Sequence, residues 1–131
     1  MSVEFWCLFV AMFLGLVHLS AASFAFKGQV GNSYTVGPRD EDLSPQGLAG
    51  RLDRAQRNFL ETFAIFAAAV LMSHALGKEG GLGAAGALIY TAGRIAFLPL
   101  YAVGVRWFRT FSWNLATLGL VLLMADVAVA A

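Results

Sequence analysis

The segment Arg51-Leu-Asp-Arg-Ala-Gln-Arg-Asn-Phe-Leu-Glu-Thr62 sets guanidinium, amide and carboxylate groups at the start of an apolar stretch. On a helix Arg54, Asn58 and Glu61 fall at i, i+4 and i+7 and share one face, while Arg57 reaches Glu61 from the side at i+4. Arg51 and Arg54 sit where a long side chain can snorkel to water. Glu61 lies about 15 Å beyond Arg51 at 1.5 Å per residue. An ionisable group at that depth in lipid costs several kcal/mol unless it is paired, and such clusters mark functional sites by default.

A second set of polar groups lies further along. Arg94 precedes Arg109 by fifteen residues, about 20 Å if the stretch is helical throughout, and a Glu61 to Arg94 ion pair at similar depth is expected to neutralise both. Such a pair serves helix packing and a binding site equally well. Arg94, Phe97 and Tyr101 fall at i, i+3 and i+7 on one face, with Pro99 between them removing a backbone donor. A bend at Pro99 is expected to open a space that Tyr101 lines.

The elements that carry these groups are membrane helices. Of 131 residues, 59% are hydrophobic and 13% charged, with a mean hydropathy of +0.70, a composition that excludes an ordinary soluble domain. Apolar runs at Phe5 to Phe26, Phe59 to Leu76, Leu82 to Gly104 and Phe111 to Ala131 each reach the length needed to span a bilayer. The expected fold is all-α: a single four-helix transmembrane domain over 1–131, with helices at about 5–26, 51–77, 82–104 and 110–131. The first run lacks the basic flank of a cleaved signal and is read as a retained helix.

Lysines and arginines concentrate in the first connection and its edges (Lys27, Arg39, Arg51, Arg54, Arg57) and in the third (Arg106, Arg109), against Lys78 alone in the second. The positive-inside rule puts loops one and three in the cytoplasm. The loop at 27–50, with Gly-Pro-Arg-Asp-Glu-Asp at 37–42, is expected to be an ordered, turn-rich segment or a mobile lid without an element of its own. Gly77-Lys-Glu-Gly-Gly81 is a tight turn joining antiparallel neighbours. A net charge of +1 offers no extended basic surface for nucleic acid. His18 and His74 are far apart, no ligand set has metal spacing, and the lone Cys7 reads as a small apolar filler.

The run Arg51-x-x-Arg54-Ala-Gln-Arg-Asn58-x-x-Glu61-Thr, with Phe63 to Phe66 after it, resembles the second-helix motif of the MAPEG family, the membrane-associated proteins of eicosanoid and glutathione metabolism. Tyr90-Thr-Ala-Gly-Arg94-Ile-Ala-Phe-Leu-Pro-Leu-Tyr101, continuing through Arg106 to Arg109-Thr-Phe-Ser-Trp113, is similar to the third-to-fourth-helix portion of bacterial members. Length, four spans and a charged first loop agree over essentially the whole chain.

The resemblance implies a homotrimer in a bacterial inner membrane that binds glutathione between subunits near the cytoplasmic face. Carried over, Arg54 and Arg57 meet the peptide's carboxylates, Glu61 its amino group and Asn58 its backbone, with Arg94 and Arg106 in the binding region. Fixed cations, one anion and amides do suit a ligand with two carboxylates, an ammonium and a thiol. Arg109 is the expected thiolate-stabilising residue, with Tyr101 beside it and Arg106 as the competing choice. The chemistry implied is transfer to, or reduction of, a lipophilic electrophile or hydroperoxide that enters from the membrane lipid.

Two positions depart from mammalian members. Thr62 stands where leukotriene C synthase has a tyrosine, and Phe97 where several members have tyrosine or histidine, which takes hydrogen-bonding groups out of the site. Two alternatives therefore remain: a non-catalytic lipid-binding relative, and a small four-helix transporter. The transporter would need a carboxylate well inside the first helix, which has only Glu4 at its tip. The small-residue surface of the third span, Gly83, Gly86 and Gly93 with Ala84, Ala85 and Ala87, suits contacts within or between subunits.

Overall fold

The computed structural model describes residues 1–130, and among them every regular element is a helix. Helix α1 (Val3–Val30) starts where the Ser2 hydroxyl accepts the Phe5 N–H at 3.3 Å and ends at Gly31, whose φ of 88° stops the spiral. It therefore runs past the apolar stretch into Lys27. Helix α3 spans Gly47–Ala75, α4 Gly81–Ala102 and α5 Arg106–Ala130. These four long helices are apolar enough to cross a membrane, and the protein is an integral membrane protein. The expected last residue of the fourth span, Ala131, lies outside the described residues.

Differences from the expected boundaries have local causes. A one-turn helix, α2 (Asn32–Val36), occupies the first loop, where no element was anticipated. The Thr35 hydroxyl donates to the carbonyls of Gly31 and Asn32, and the Tyr34 hydroxyl accepts the Leu43 N–H at 2.8 Å. A single turn held by such local bonds carries no hydrophobic period to read. Gln29 ties the end of the loop to α1, donating to the Ser44 carbonyl at 3.0 Å and accepting the Gln46 N–H at 2.7 Å; the loop is ordered. Helix α4 stops three residues after Pro99, and Gly104, with φ of 77°, turns the chain so that α5 begins at Arg106. Arg94 consequently lies eight residues, about 12 Å, inside the end of α4, not the 20 Å expected of an unbroken helix.

Helix α4 touches each of the other three long helices, and its contact with α5 is the most extensive. The reason is the absence of side chains. A Cβ on Gly119 would lie 2.4 Å from the Tyr90 nitrogen and 2.6 Å from the Gly86 oxygen, and one on Gly93 would lie 2.9 Å from Ala116. The small-residue face of α4 is thus spent on α5 inside the subunit, where backbone-to-backbone approach maximises van der Waals contact. Ser112 adds a buried bond to the Gly93 carbonyl at 2.5 Å. Cys7, Leu8 and Ala11 of α1, Phe66 and Val70 of α3, Tyr90 of α4 and Leu123 of α5 close the core. The opposite face of α1, with Trp6, Phe9, Phe13 and Phe24, is exposed to the bilayer.

The end that carries the α3–α4 turn is pinned by polar contacts. Glu4, 1% exposed, accepts the Gly80 N–H at 2.6 Å and sets its carboxylate against the N-terminus of α4, the favourable end of that helix's dipole for an anion. His74 and Glu79 pair across the same turn at 3.0 Å.

Candidate functional site

The site is organised around Arg94, which is 1% exposed. Its Nη1 donates to Asn58 Oδ1 at 2.8 Å, and its Nη2 donates to the Asn58 carbonyl at 3.1 Å and to the Thr62 hydroxyl. Thr62 in turn bonds the Tyr90 hydroxyl at 3.1 Å. The guanidinium carbon lies 5.2 Å from the ring centre of Phe97, 5.8 Å from Tyr90 and 5.9 Å from Phe59, so aromatic faces surround the cation.

This overturns the expected Glu61 to Arg94 ion pair. Asn58 and Thr62, one turn apart, form the stripe of α3 that faces α4, whereas Glu61 points off that stripe and is exposed. The two terminal nitrogens of the guanidinium are satisfied by neutral acceptors, and rings flank the group, while Nε is buried without a hydrogen-bond partner. Thr62, which reads in the sequence as a lost hydrogen-bonding group, is a structural partner of Arg94. Sequence reasoning missed Thr62 and Tyr90 as members of the network. The available signal was their one-turn spacing from Asn58 and Arg94 respectively.

Beside this network Asn58, Phe97, Tyr101, Arg109, Thr110 and Trp113 line an open cleft of about 230 Å³. Arginine has no acceptor, so Asn58 must turn its Oδ1 to Arg94 and keep its NH₂ group as a donor. The Arg109 guanidinium lies over the Tyr101 ring, 4.7 Å from its centre, and Tyr101 meets Phe97 edge-on at 5.3 Å. Three helices thus supply the cleft: α3 an amide, α4 a phenol and α5 a cation. Arg109 enters because α5 begins at Arg106, which sets Arg109 one turn into that helix.

The remaining candidates lie elsewhere in the subunit. Arg54, Arg57, Glu61 and Arg106 are exposed and line no part of this cleft. Arg57 pairs with Asp53 at 3.0 Å. Arg51 donates to the Ala102 carbonyl at 2.9 Å and so satisfies a terminal acceptor of α4. The rotation of α5 separates the two arginines left open by the sequence: Arg109 reaches the cleft and Arg106 faces out. His18 is fully buried and stacks on Phe59 with ring centres 4.7 Å apart.

The cleft combines a guanidinium, a phenol and an amide donor with an apolar wall, a set able to hold an anionic or thiol-bearing group at a membrane boundary. Neither curated proteins nor solved structures include a significant match to this chain. A family model, however, matches residues 3–129, nearly its whole length: the chain belongs to the MAPEG family, membrane proteins related to glutathione or eicosanoid metabolism.

Proposed function

We propose that this protein binds glutathione and uses its thiolate against a lipophilic electrophile or hydroperoxide drawn from the bilayer, as a transferase or peroxidase. The observation that carries the reading is the convergence of Asn58, Tyr101 and Arg109 on one cleft. A guanidinium beside a thiol favours the anion, which is the nucleophile. Tyr101 beneath Arg109 holds the cation in place and can donate a hydrogen bond to sulfur. In transfer, the thiolate forms a carbon–sulfur bond as the electrophile's leaving group departs. In reduction, two thiols become a disulfide while the hydroperoxide becomes an alcohol and water.

Arg54, Arg57 and Glu61 then bind the peptide's charged ends from the outer face of α3. Exposed as it is in one subunit, Glu61 sits about 15 Å along α3 from Arg51, where contact with lipid is costly. A neighbouring subunit covering that face, in a homotrimer, removes the cost and brings the groups of two chains to one ligand. The loops after α1 and between α4 and α5 face the cytoplasm in this reading, and a bacterial inner membrane is the proposed location.

Titration of the detergent-purified protein with glutathione, followed by ultraviolet thiolate absorbance, tests the proposal. Wild type should develop a thiolate signal, and Arg109→Ala should bind the peptide without that signal and lose about 100-fold or more in turnover. Arg106→Ala should keep both. Absence of binding by wild type at millimolar glutathione sinks the enzyme reading and leaves a lipid-binding relative.

A further inference from the structure

A second hollow, of about 270 Å³, is lined by Ser23, Phe24, Phe26, Lys27, Thr35 and Arg39. It shares no residue with the Asn58–Arg109 cleft. Its position along α1 is informative: no charged residue lies between Glu4 and Lys27, so Lys27 marks the boundary where the helix leaves the hydrocarbon. Phe24 is 69% exposed on the apolar side of that boundary. A phenyl face below and an ammonium above is the layering of a lipid at the interface.

Arg39 is brought to the same hollow by the loop. Helix α2 folds the chain back, and Arg39 takes a φ of 60°, in the left-handed region unusual for a residue with a side chain. Its Nε and Nη2 donate to the Thr35 carbonyl at 3.2 and 2.9 Å. The guanidinium is therefore fixed, with Nη1 outside this clamp. Asp40, Glu41 and Asp42 follow it directly, yet among the described residues no carboxylate lies within 4.0 Å of Arg39 or Lys27. Asp40 and Glu41 line the adjoining hollow with Tyr34 and Pro38, and Arg39 forms the wall between the two. The lining of the hollow itself thus includes two cations and no carboxylate, which favours the entry of a negative group.

We propose that this hollow is a binding site for the headgroup of an anionic phospholipid. Lys27 and Arg39 hold the phosphate through charge-assisted hydrogen bonds, the Ser23 hydroxyl adds a donor, and Phe24 lies along the acyl chain. The site ties the first loop to the membrane surface beside α1.

Native mass spectrometry of the full-length protein released from detergent, loaded with dioleoylphosphatidylglycerol or dioleoylphosphatidylcholine, tests this. Wild type should retain the phosphatidylglycerol preferentially. Lys27→Gln and Arg39→Gln should each weaken that preference about fivefold, and the double variant about thirtyfold. Lys27→Arg, which keeps the charge, should preserve it, and Lys78→Gln, at the opposite end of the bundle, should leave it unchanged. Equal retention of the two lipids by wild type, survival of the preference in the double variant, or an equal loss in Lys78→Gln would overturn the site. Displacement of the lipid by millimolar inorganic phosphate would overturn the lipid assignment in favour of a soluble anion.

Discussion

Thr62→Val is the sharpest perturbation of the arginine network, because it removes a hydroxyl while nearly preserving shape. In the variant Arg94 Nη2 keeps only the Asn58 carbonyl at 3.1 Å, and the Tyr90 hydroxyl loses its 3.1 Å partner. Arg94 is 1% exposed and Tyr90 fully buried, so water does not replace either bond. A hydrogen bond to a charged group contributes about 1.5–3 kcal/mol, whereas neutral interhelical bonds in membrane proteins average about 0.6 kcal/mol. The charged bond dominates. The sum, about 2–3.5 kcal/mol, lowers the folded-to-unfolded ratio roughly 30- to 300-fold. Thr62→Ser keeps the hydroxyl and forfeits one methyl group, about 0.8 kcal/mol.

The assay is denaturant unfolding in detergent micelles followed by far-ultraviolet circular dichroism, run as a double-mutant cycle with Arg94→Met. With the cation gone, Thr62→Val should cost only the tyrosine's share, so the coupling energy should be about 1.5–3 kcal/mol. A Thr62→Val cost below about 0.5 kcal/mol, the level of an ordinary surface substitution, refutes the reasoning. An equal cost with and without Arg94 refutes it as well.

Further outcomes follow from the packing and the turn. Gly119→Ala must drive α5 away from the Tyr90 nitrogen, 2.4 Å from the new methyl, and should lower stability by about 2–4 kcal/mol in the same assay, while Gly28→Ala, with nothing within 4 Å, should be neutral or mildly stabilising. Glu4→Leu leaves the Gly80 N–H without its acceptor and removes an anion from the α4 terminus; a loss of about 1–3 kcal/mol is expected on unfolding. Glu79, in the exposed turn, has its carboxyl held below the ordinary 4.5 by hydrogen bonds from the Ser2 hydroxyl and then the His74 imidazole. A depressed folded value stabilises above the unfolded one and fades as pH falls through the folded one. The melting-temperature advantage of wild type over Glu79→Gln should accordingly be present above about 4.5 and fade as the pH falls below that value; an advantage that persists undiminished into strong acid contradicts the pairing.

The site was partly legible in the sequence. Arg94, Asn58 and Tyr101 are recognisable because a polar group inside an apolar run is conspicuous whatever the fold, whereas Arg109 was pointed to by the family resemblance. Their partners were not. Glu61 is as conspicuous as Asn58, and pairing it with Arg94 satisfies charge, yet the structure gives that place to Thr62 and Tyr90. A threonine and a tyrosine in a membrane helix blend into the background, since each also serves as a packing residue. Arg106 and Arg109 were inseparable for a related reason: three residues on a helix turn the side chain by some 60° from a full circle, and only the start of α5 decides which one reaches the cleft.

The number of membrane-spanning helices and membrane residence were legible in composition alone, because a long apolar stretch of this kind reads as a bilayer span whose backbone must close its own hydrogen bonds there. The family motif in α3 and the basic bias of the loops are equally local. Tertiary structure decided the rotation of each helix about its axis. That angle is fixed by where backbones can approach, at Gly86 against Gly119 and Gly93 against Ala116, and these contacts lie tens of residues apart in the chain. From that rotation follow the burial of Arg94 among neutral acceptors, the outward face of Glu61, and the meeting of Asn58, Tyr101 and Arg109 at one cleft.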